Sequence, residues 1–159
     1  MNIDERKLFL MEIALKEAKK AYKKGEIPVG AVLVYEDKII SKAHNTIQKN
    51  RNTLKHAEII ALEKGMKKLS AKFLNNCELY VTLEPCPMCA GAIMLSKVKK
   101  VYIATKDPKS GFGGSIYNIL NNEKLNHRCE IEYGILENES SELLKNFFIE
   151  LRKSKKQKL

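Results

Sequence analysis

The chain has 159 residues, of which 44% are hydrophobic and 30% are charged, and its formal net charge is +10. This length suits one domain with one core, no apolar stretch approaches the ~18 residues of a membrane span, and the charged N-terminus lacks the apolar core of a secretory signal. We therefore expect a cytoplasmic protein with reduced thiols, a single domain over residues 1–152 and a basic tail over residues 153–159.

The first half of the chain predicts a helix, a β-hairpin and a second helix. Asp4 is the candidate cap of a helix that stops before Gly25, and apolar residues recur in it every three or four positions. The valine-rich segment 28–35 and the segment 39–44 are separated by a short polar turn, which indicates two paired strands. After a polar loop, residues 56–69 have helical spacing again.

The second half predicts three more strands and two more helices. The strands are expected over residues 77–83, 99–105 and 128–136, and the helices over 87–96 and 140–154. The last helix carries five apolar residues on one face: Leu143, Leu144, Phe147, Phe148 and Leu151. This order predicts a three-layer α/β/α sandwich with a mixed five-stranded sheet, in which the strands that flank the 87–96 helix are parallel.

Two of the four cysteines, Cys86 and Cys89, form a Cys-x-x-Cys pair where the 87–96 helix is expected to begin. Such a pair occurs in redox dithiols, in structural zinc sites and in catalytic zinc sites. The other two cysteines, Cys77 and Cys129, stand alone on predicted strands, which indicates small buried residues and not further ligands. The pair by itself leaves the redox and zinc interpretations open.

A histidine and a carboxylate extend this pattern. His56 opens the second predicted helix, and Glu58 follows two residues later. Three protein ligands and one open position are typical of catalytic zinc, so His56, Cys86 and Cys89 predict a site for one Zn²⁺ per subunit. Zinc lowers the pKa of bound water to about 7, and Glu58 beside that water would act as general base and then as general acid.

The order H-A-E and then P-C-x-x-C is the recognised signature of zinc nucleobase deaminases. From the first helix to about Arg152, the chain resembles the bacterial tRNA-specific adenosine deaminases, the TadA family. The segments that carry the resemblance are IPVGAVLV, AHN, HAEI, LYVTLEPCPMCAGA, SGFGGS, LNHR and KNFF. The resemblance implies a cytidine-deaminase-like fold and the hydrolytic deamination of adenosine to inosine at the wobble position of a tRNA, typically the arginine tRNA with anticodon ACG.

The resemblance also implies a homodimer that contacts the anticodon stem-loop with both subunits. Asn45 matches the family residue that hydrogen-bonds the flipped base, and Asp107 matches an aspartate of an RNA-contacting loop. Phe147 and Phe148 match an aromatic pair of which at least one ring meets RNA. Each residue also has a structural interpretation, because Asn45 and Asp107 suit turns and one phenylalanine suits the core.

One segment departs from the family pattern. The family usually reads Asp-Pro-Thr-Ala before the zinc histidine, whereas this chain reads Asn52-Thr53-Leu54-Lys55. No metal ligand changes, so the departure concerns the loop and any RNA contact made by the missing aspartate. The basic tail either attracts phosphates or is a disordered, solubilising end of the chain.

Other functions share parts of this pattern. A zinc deaminase of a free nucleobase or nucleoside, such as guanine or cytosine, would carry the same ligands and the same glutamate. A zinc-stabilised RNA-binding protein would have no use for Glu58. The basic last helix and the loop that contains Asp107 favour an RNA substrate.

Overall fold

The computed structural model describes residues 1–158, which contain five strands and five helices. In chain order they are α1 (Ile3–Lys23), β1 (Gly30–Tyr35), β2 (Lys38–His44), α2 (Ile47–Asn50), α3 (Ala57–Leu69), β3 (Cys77–Leu83), α4 (Pro87–Leu95), β4 (Lys100–Thr105), β5 (Glu130–Tyr133) and α5 (Glu137–Gln157). None of the helices in residues 1–158 is both long enough and apolar enough to cross a membrane.

The strands form one mixed sheet in the order β2-β1-β3-β4-β5. β1 pairs antiparallel with β2 and with β3, whereas β3, β4 and β5 are parallel. The parallel pairing of β3 with β4 across α4 confirms the prediction for these two strands. It also places their carboxyl ends, Leu83 and Thr105, next to each other at one edge of the sheet.

Helices cover both faces of the sheet. α1 and α5 lie on one face, over an apolar cluster that includes Met11 and Tyr80. α3 and α4 lie on the other face, over a larger cluster that includes Leu33 and Ile93. The predicted three-layer α/β/α sandwich with a mixed five-stranded sheet is therefore confirmed.

α1 is capped by a residue other than the predicted Asp4. Asn2 Oδ1 accepts a hydrogen bond from Glu5 N at 2.9 Å, and Glu5 Oε2 accepts one from Asn2 N at 3.0 Å. This reciprocal pair is a capping box, and Asp4 lies inside the first turn. The predicted stop holds, because Gly25 follows the helix with a φ of +74°, a left-handed conformation that favours glycine.

Two further predictions, one for a loop and one for the length of a strand, were wrong. The polar loop between β2 and α3 contains the one-turn helix α2, because Glu26 accepts hydrogen bonds from Gln48 N at 2.8 Å and Lys49 N at 3.1 Å. The strand predicted over 128–136 is shorter, and Gly134, with a φ of +103°, directly follows it.

The last helix is longer than predicted. It begins at Glu137 and continues to Gln157, so most of the predicted basic tail is helical, and Leu159 lies outside the described residues. The predicted apolar face is only partly correct. Phe147 is buried, whereas Phe148 and Leu151 are each 38% exposed.

Candidate active site

His56, Cys86 and Cys89 lie together beyond the carboxyl end of β3. His56 Nδ1 is 3.6 Å from Cys86 Sγ and 3.5 Å from Cys89 Sγ, and the three atoms all lie within 4.8 Å of one another. A tetrahedral zinc ion, with bonds of about 2.3 Å to sulfur and about 2.1 Å to nitrogen, separates such ligand atoms by about 3.6 Å. The donor set and its spacing therefore fit zinc.

Two helix N-termini meet at this cluster. His56 is the N-cap residue of α3, and Cys86 is the N-cap residue of α4. Pro87 occupies the first position of α4, where its missing N–H leaves no hydrogen bond unmade, and Cys89 follows in the same turn. The positive end of a helix dipole favours negative charge, so this geometry favours a thiolate at the start of α4.

The cluster residues also shift one another's pKa values. A hydrogen bond from Cys89, with a further one from His56, lowers the pKa of Cys86 to about 4 against the opposing effect of burial. The same contact with Cys86, together with burial, raises the pKa of Cys89. The hydrogen bond to Cys86 also raises the pKa of His56. One thiolate beside a histidine is thus favoured by the protein itself.

Glu58 is the buried carboxylate beside the cluster. It lies in the first turn of α3 and is 3% exposed. Burial raises the pKa of its carboxyl to about 7, and its Oε1 has no hydrogen-bond partner within the described part of the chain. A carboxyl with a pKa near neutrality and one unpaired oxygen is suited to exchange protons with a bound molecule.

Asn45 joins the hairpin to the helix that begins at the cluster. Its Oδ1 accepts a hydrogen bond from Ala57 N at 2.8 Å, and its Nδ2 donates one to Ile27 O at 3.1 Å. Because Ala57 is the first residue of α3, Asn45 holds the position of His56. One hydrogen of the Asn45 amide is not used by these two contacts.

The segment that departs from the family pattern builds the turn into His56. Asn52 Oδ1 accepts a hydrogen bond from Leu54 N at 2.9 Å, and Asn52 O accepts one from Lys55 N at 3.1 Å. His56 N then donates to Leu54 O at 2.8 Å. Asparagine and aspartate both form such side-chain turns, so the changed residues still lead the chain into the ligand position.

Asp107 begins a segment that we call the glycine loop, residues 107–115, which follows β4. Asp107 Oδ1 accepts hydrogen bonds from Lys109 N at 3.0 Å and Ser110 N at 3.2 Å, as a turn residue does. The loop is held by Glu84, whose Oε1 accepts a hydrogen bond from Asp107 N at 3.1 Å. Glu84 is not among the predicted site residues, although a charged residue directly after an apolar strand was an available signal.

Phe147 and Phe148 lie on α5, which packs on β4, β3 and α1. Phe147 contacts the α1 residue Tyr22 edge-on, with ring centroids 5.7 Å apart. Phe147 is thus part of the packing between α5 and α1, and Phe148 is the partly exposed ring of the pair. The described contacts of both rings are with this helix pair and not with the cluster.

A mixed α/β/α sandwich with a histidine and two cysteines at helix N-termini, next to a buried glutamate, is the arrangement of hydrolytic nucleobase deaminases. Residues 4–152 match the model of the MafB19-like deaminases. The chain therefore belongs to the MafB19-like deaminase family, which confirms the deaminase resemblance of its sequence.

Relatives and solved structures agree with this assignment. The tRNA-specific adenosine deaminase of Bacillus subtilis (strain 168) is 49% identical over 146 residues, which are 92% of this chain and 91% of the relative. A structure from a study of A-to-I editing by tRNA:A34 deaminases at the wobble position is 35% identical, with a TM-score of 0.82, over 86% of this chain and 99% of that chain. Guanine deaminase from Bacillus subtilis is also 35% identical, with a TM-score of 0.60, over 67% of this chain and 66% of that chain.

Proposed function

We propose that this protein is a tRNA adenosine deaminase that converts adenosine to inosine at the wobble position, with the arginine tRNA of anticodon ACG as its main substrate. The observation that carries the proposal is the match of 92% of the chain, at 49% identity, to a relative named for tRNA adenosine deamination. The cluster with its buried glutamate supplies the chemistry such a reaction needs. A tRNA substrate also supports a cytoplasmic location.

His56, Cys86 and Cys89 would hold one zinc ion per subunit, which when bound supplies water of lowered pKa at neutral pH. Glu58 takes a proton from the water that attacks C6 of adenine. It delivers this proton to the ring nitrogen and passes the second proton of the same oxygen to the departing amino group, so that water and adenosine become inosine and ammonia. The pKa of about 7 lets this carboxyl act in both directions near neutral pH.

The substrate contacts follow from the remaining polar and aromatic groups. The free amide hydrogen of Asn45 is available to the flipped base. The turn uses only Oδ1 of Asp107, so the second carboxylate oxygen is available to a ribose or base donor. Phe148 offers an exposed ring on which a base can stack, and Phe147 supports it from the core.

Helix α4 supports the proposal of a homodimer. It contains no charged residue, and its outer side carries Leu95, which is 68% exposed, and the half-buried Met88, Ala92 and Met94. A helix that is apolar all round is normally buried. A second copy of the chain packed on α4 would cover this side and bring two subunits to one RNA. We expect Leu95→Lys to convert a dimer to a monomer in light-scattering measurements.

The C-terminal end of α5 supports the proposed attraction for RNA. Lys153, Lys155 and Lys156 are exposed on the last turns of the helix. Each phosphate contact changes the slope of log K against log salt by about 0.7 to 0.9. Deletion of residues 153–159 should therefore weaken RNA binding and flatten its salt dependence. An unchanged slope would mean that these residues do not contact phosphates and are only a solvent-exposed helix end.

The decisive experiment offers RNA and free bases to the same enzyme. The protein is incubated with the arginine tRNA transcript, with the same transcript carrying guanosine at the wobble position, and with free adenosine, guanine and cytosine. We expect inosine, detected by mass spectrometry, only in the first transcript and no product with Glu58→Gln. Deamination of guanine or cytosine without inosine in tRNA would instead support the free-base alternative, which the similarity to guanine deaminase keeps relevant.

A further inference from the structure

Glu84 is a buried carboxylate between the end of β3 and Pro85, and it is 2% exposed. Its Oε1 accepts hydrogen bonds from Asp107 N at 3.1 Å and from the Ser115 hydroxyl. Its Oε2 accepts hydrogen bonds from Gly113 N and Ser115 N, each at 3.0 Å. One side chain therefore binds both ends of the glycine loop, and four donors of the loop surround its charge.

The glycine loop closes on this carboxylate without room for a side chain. A Cβ atom at Gly111 would lie 2.2 Å from Glu84 Oε2, well inside van der Waals contact. The loop backbone also reaches the next residue, because Phe112 N donates to Pro85 O at 2.9 Å. The loop is thus attached to the two residues that directly precede the candidate zinc ligand Cys86.

The position of the loop in the fold connects it with the substrate. It starts at the carboxyl end of β4, next to the carboxyl end of β3, where Glu84 N donates to Thr105 O at 2.9 Å. Ligands of α/β sheets bind outside the carboxyl ends of their parallel strands. The outer side of the loop is exposed at Pro108, Lys109 and Ser110, so it is free to contact a substrate there.

We propose that Glu84 is a positioning residue for the deamination. It folds the glycine loop against the turn that carries Cys86, and it thereby sets where the substrate contacts of the loop lie relative to the cluster. This inference rests on the proposed function. Hydrogen bonds to an ionised carboxylate are roughly twice as strong as neutral ones, and a substrate misplaced by about 1 Å can lower a rate by about 10²-fold.

The loop itself supplies a matched control. Tyr133 lies beneath it: Cβ atoms at Gly113 and Gly114 would lie 3.2 Å and 3.1 Å from the Tyr133 hydroxyl. That hydroxyl is buried and has no hydrogen-bond partner in residues 1–158. Tyr133→Phe therefore removes a buried oxygen from the same loop without breaking a hydrogen bond, whereas Glu84→Gln replaces an acceptor by a donor that faces N–H groups.

The first test measures amide hydrogen exchange by NMR. We expect Glu84→Gln to speed the exchange of Gly113 N and Ser115 N by about tenfold or more, because their acceptor is weakened. Tyr133→Phe should leave these amides unchanged. Exchange in Glu84→Gln that stays within about threefold of the wild-type rate would overturn the role of Glu84 in the loop.

The second test measures kinetics on an anticodon stem-loop RNA, with each variant matched for zinc content and folded fraction. We expect kcat/KM of Glu84→Gln to fall about tenfold or more, mainly through a higher KM, and Tyr133→Phe to match the wild type. A lower Tm with an unchanged kcat/KM per folded enzyme would reduce Glu84 to a structural residue and overturn the proposal.

If Glu84→Gln does not fold, Ser115→Ala provides the test, because it removes one hydrogen-bond donor to Glu84 at an exposed position. We expect it to lower kcat/KM about threefold, and an unchanged value would overturn the proposal. If the wild-type enzyme does not act on RNA, the proposed function fails, whereas the exchange measurement still decides whether Glu84 organises the loop.

Discussion

The two ends of β3 carry cysteines of opposite character. At the carboxyl end, Cys86 lies at a helix N-terminus beside His56, and its pKa is lowered to about 4. At the amino end, Cys77 is completely buried, and Cys129, which directly precedes β5, is buried as well. Burial raises the pKa of Cys77 to about 11 and that of Cys129 to about 12, and Cys129 Sγ donates a hydrogen bond to Val98 O at 3.0 Å.

This difference shows that the direction of the parallel strands decides where a thiol becomes reactive. α4 begins at the carboxyl end of β3 and leads back to the start of β4. Helix N-termini, with their unpaired N–H groups and positive dipole ends, therefore collect at one edge of the sheet. At the opposite edge, Cys77 and Cys129 are buried in the apolar cluster, which favours the neutral thiol.

The largest expected effect tests the contrast between the cysteines directly. Cys86→Ala and His56→Ala should each reduce bound zinc from about one ion per chain to almost none and abolish deamination, because two ligands hold the ion poorly. Cys129→Ala should keep both zinc and activity and lose only stability, on the order of 1 kcal/mol. Elemental analysis with the tRNA assay checks this, and full zinc content in Cys86→Ala and His56→Ala would refute the ligand assignment.

The next effect separates proton transfer from metal binding at the same end of β3. Glu58→Gln should keep zinc and RNA binding but lower kcat about 10²–10⁴-fold, because the group that moves protons is lost. The matched control is Glu132→Gln on β5, whose carboxylate pairs with Lys7 and Lys100. It should stay within about threefold of the wild-type kcat. Equal rates for both variants would remove Glu58 from the mechanism.

A smaller effect concerns stability near the cluster. Asn45→Ala leaves the buried Ala57 N without its acceptor, which should lower the free energy of unfolding by about 1–3 kcal/mol. Asn122→Ala is the control near the opposite edge, where the side chain accepts a hydrogen bond from Lys124 N; its loss should stay within about 0.5 kcal/mol. Urea unfolding measures both, and equal losses would contradict the anchoring role of Asn45.

The last effect appears at alkaline pH. Between about pH 9 and pH 11 an unfolded chain has lost the thiol proton of Cys77, whereas the folded protein, with its raised pKa of about 11, keeps it. The unfolded state then binds fewer protons, so stability falls as the pH rises, by up to about 1.4 kcal/mol per pH unit for one thiol.

Cys77→Ala removes this contribution. The difference in unfolding free energy between the wild-type protein and the variant should therefore shrink from pH 9 to pH 11. Urea titrations at several pH values in this window measure the two slopes. Parallel slopes would mean that burial does not hold the proton on Cys77.

Much of the fold was predictable from the sequence because its signals are local. Apolar residues at helical or alternating spacing indicated each long helix and strand, and the Cys-x-x-Cys pair with His56 and Glu58 indicated the chemistry. The errors were of two kinds, some local, at the ends of helices, and one that depends on a distant partner. Asn2 and not Asp4 caps α1, Glu26 stabilises α2 from 22 residues away, and α5 extends three residues before its predicted start.

The residue types of the site were thus determined by the sequence, whereas their arrangement was decided by the tertiary structure. Thirty positions separate His56 from Cys86, and only the packing of α3 and α4 on one sheet brings their N-termini together. The same holds for Glu84, whose partners lie 23 to 31 positions away. Hydrophobic spacing indicates which side of an element is buried. It does not indicate from which distant N–H group a carboxylate accepts a hydrogen bond, because that depends on how the strands and helices pack.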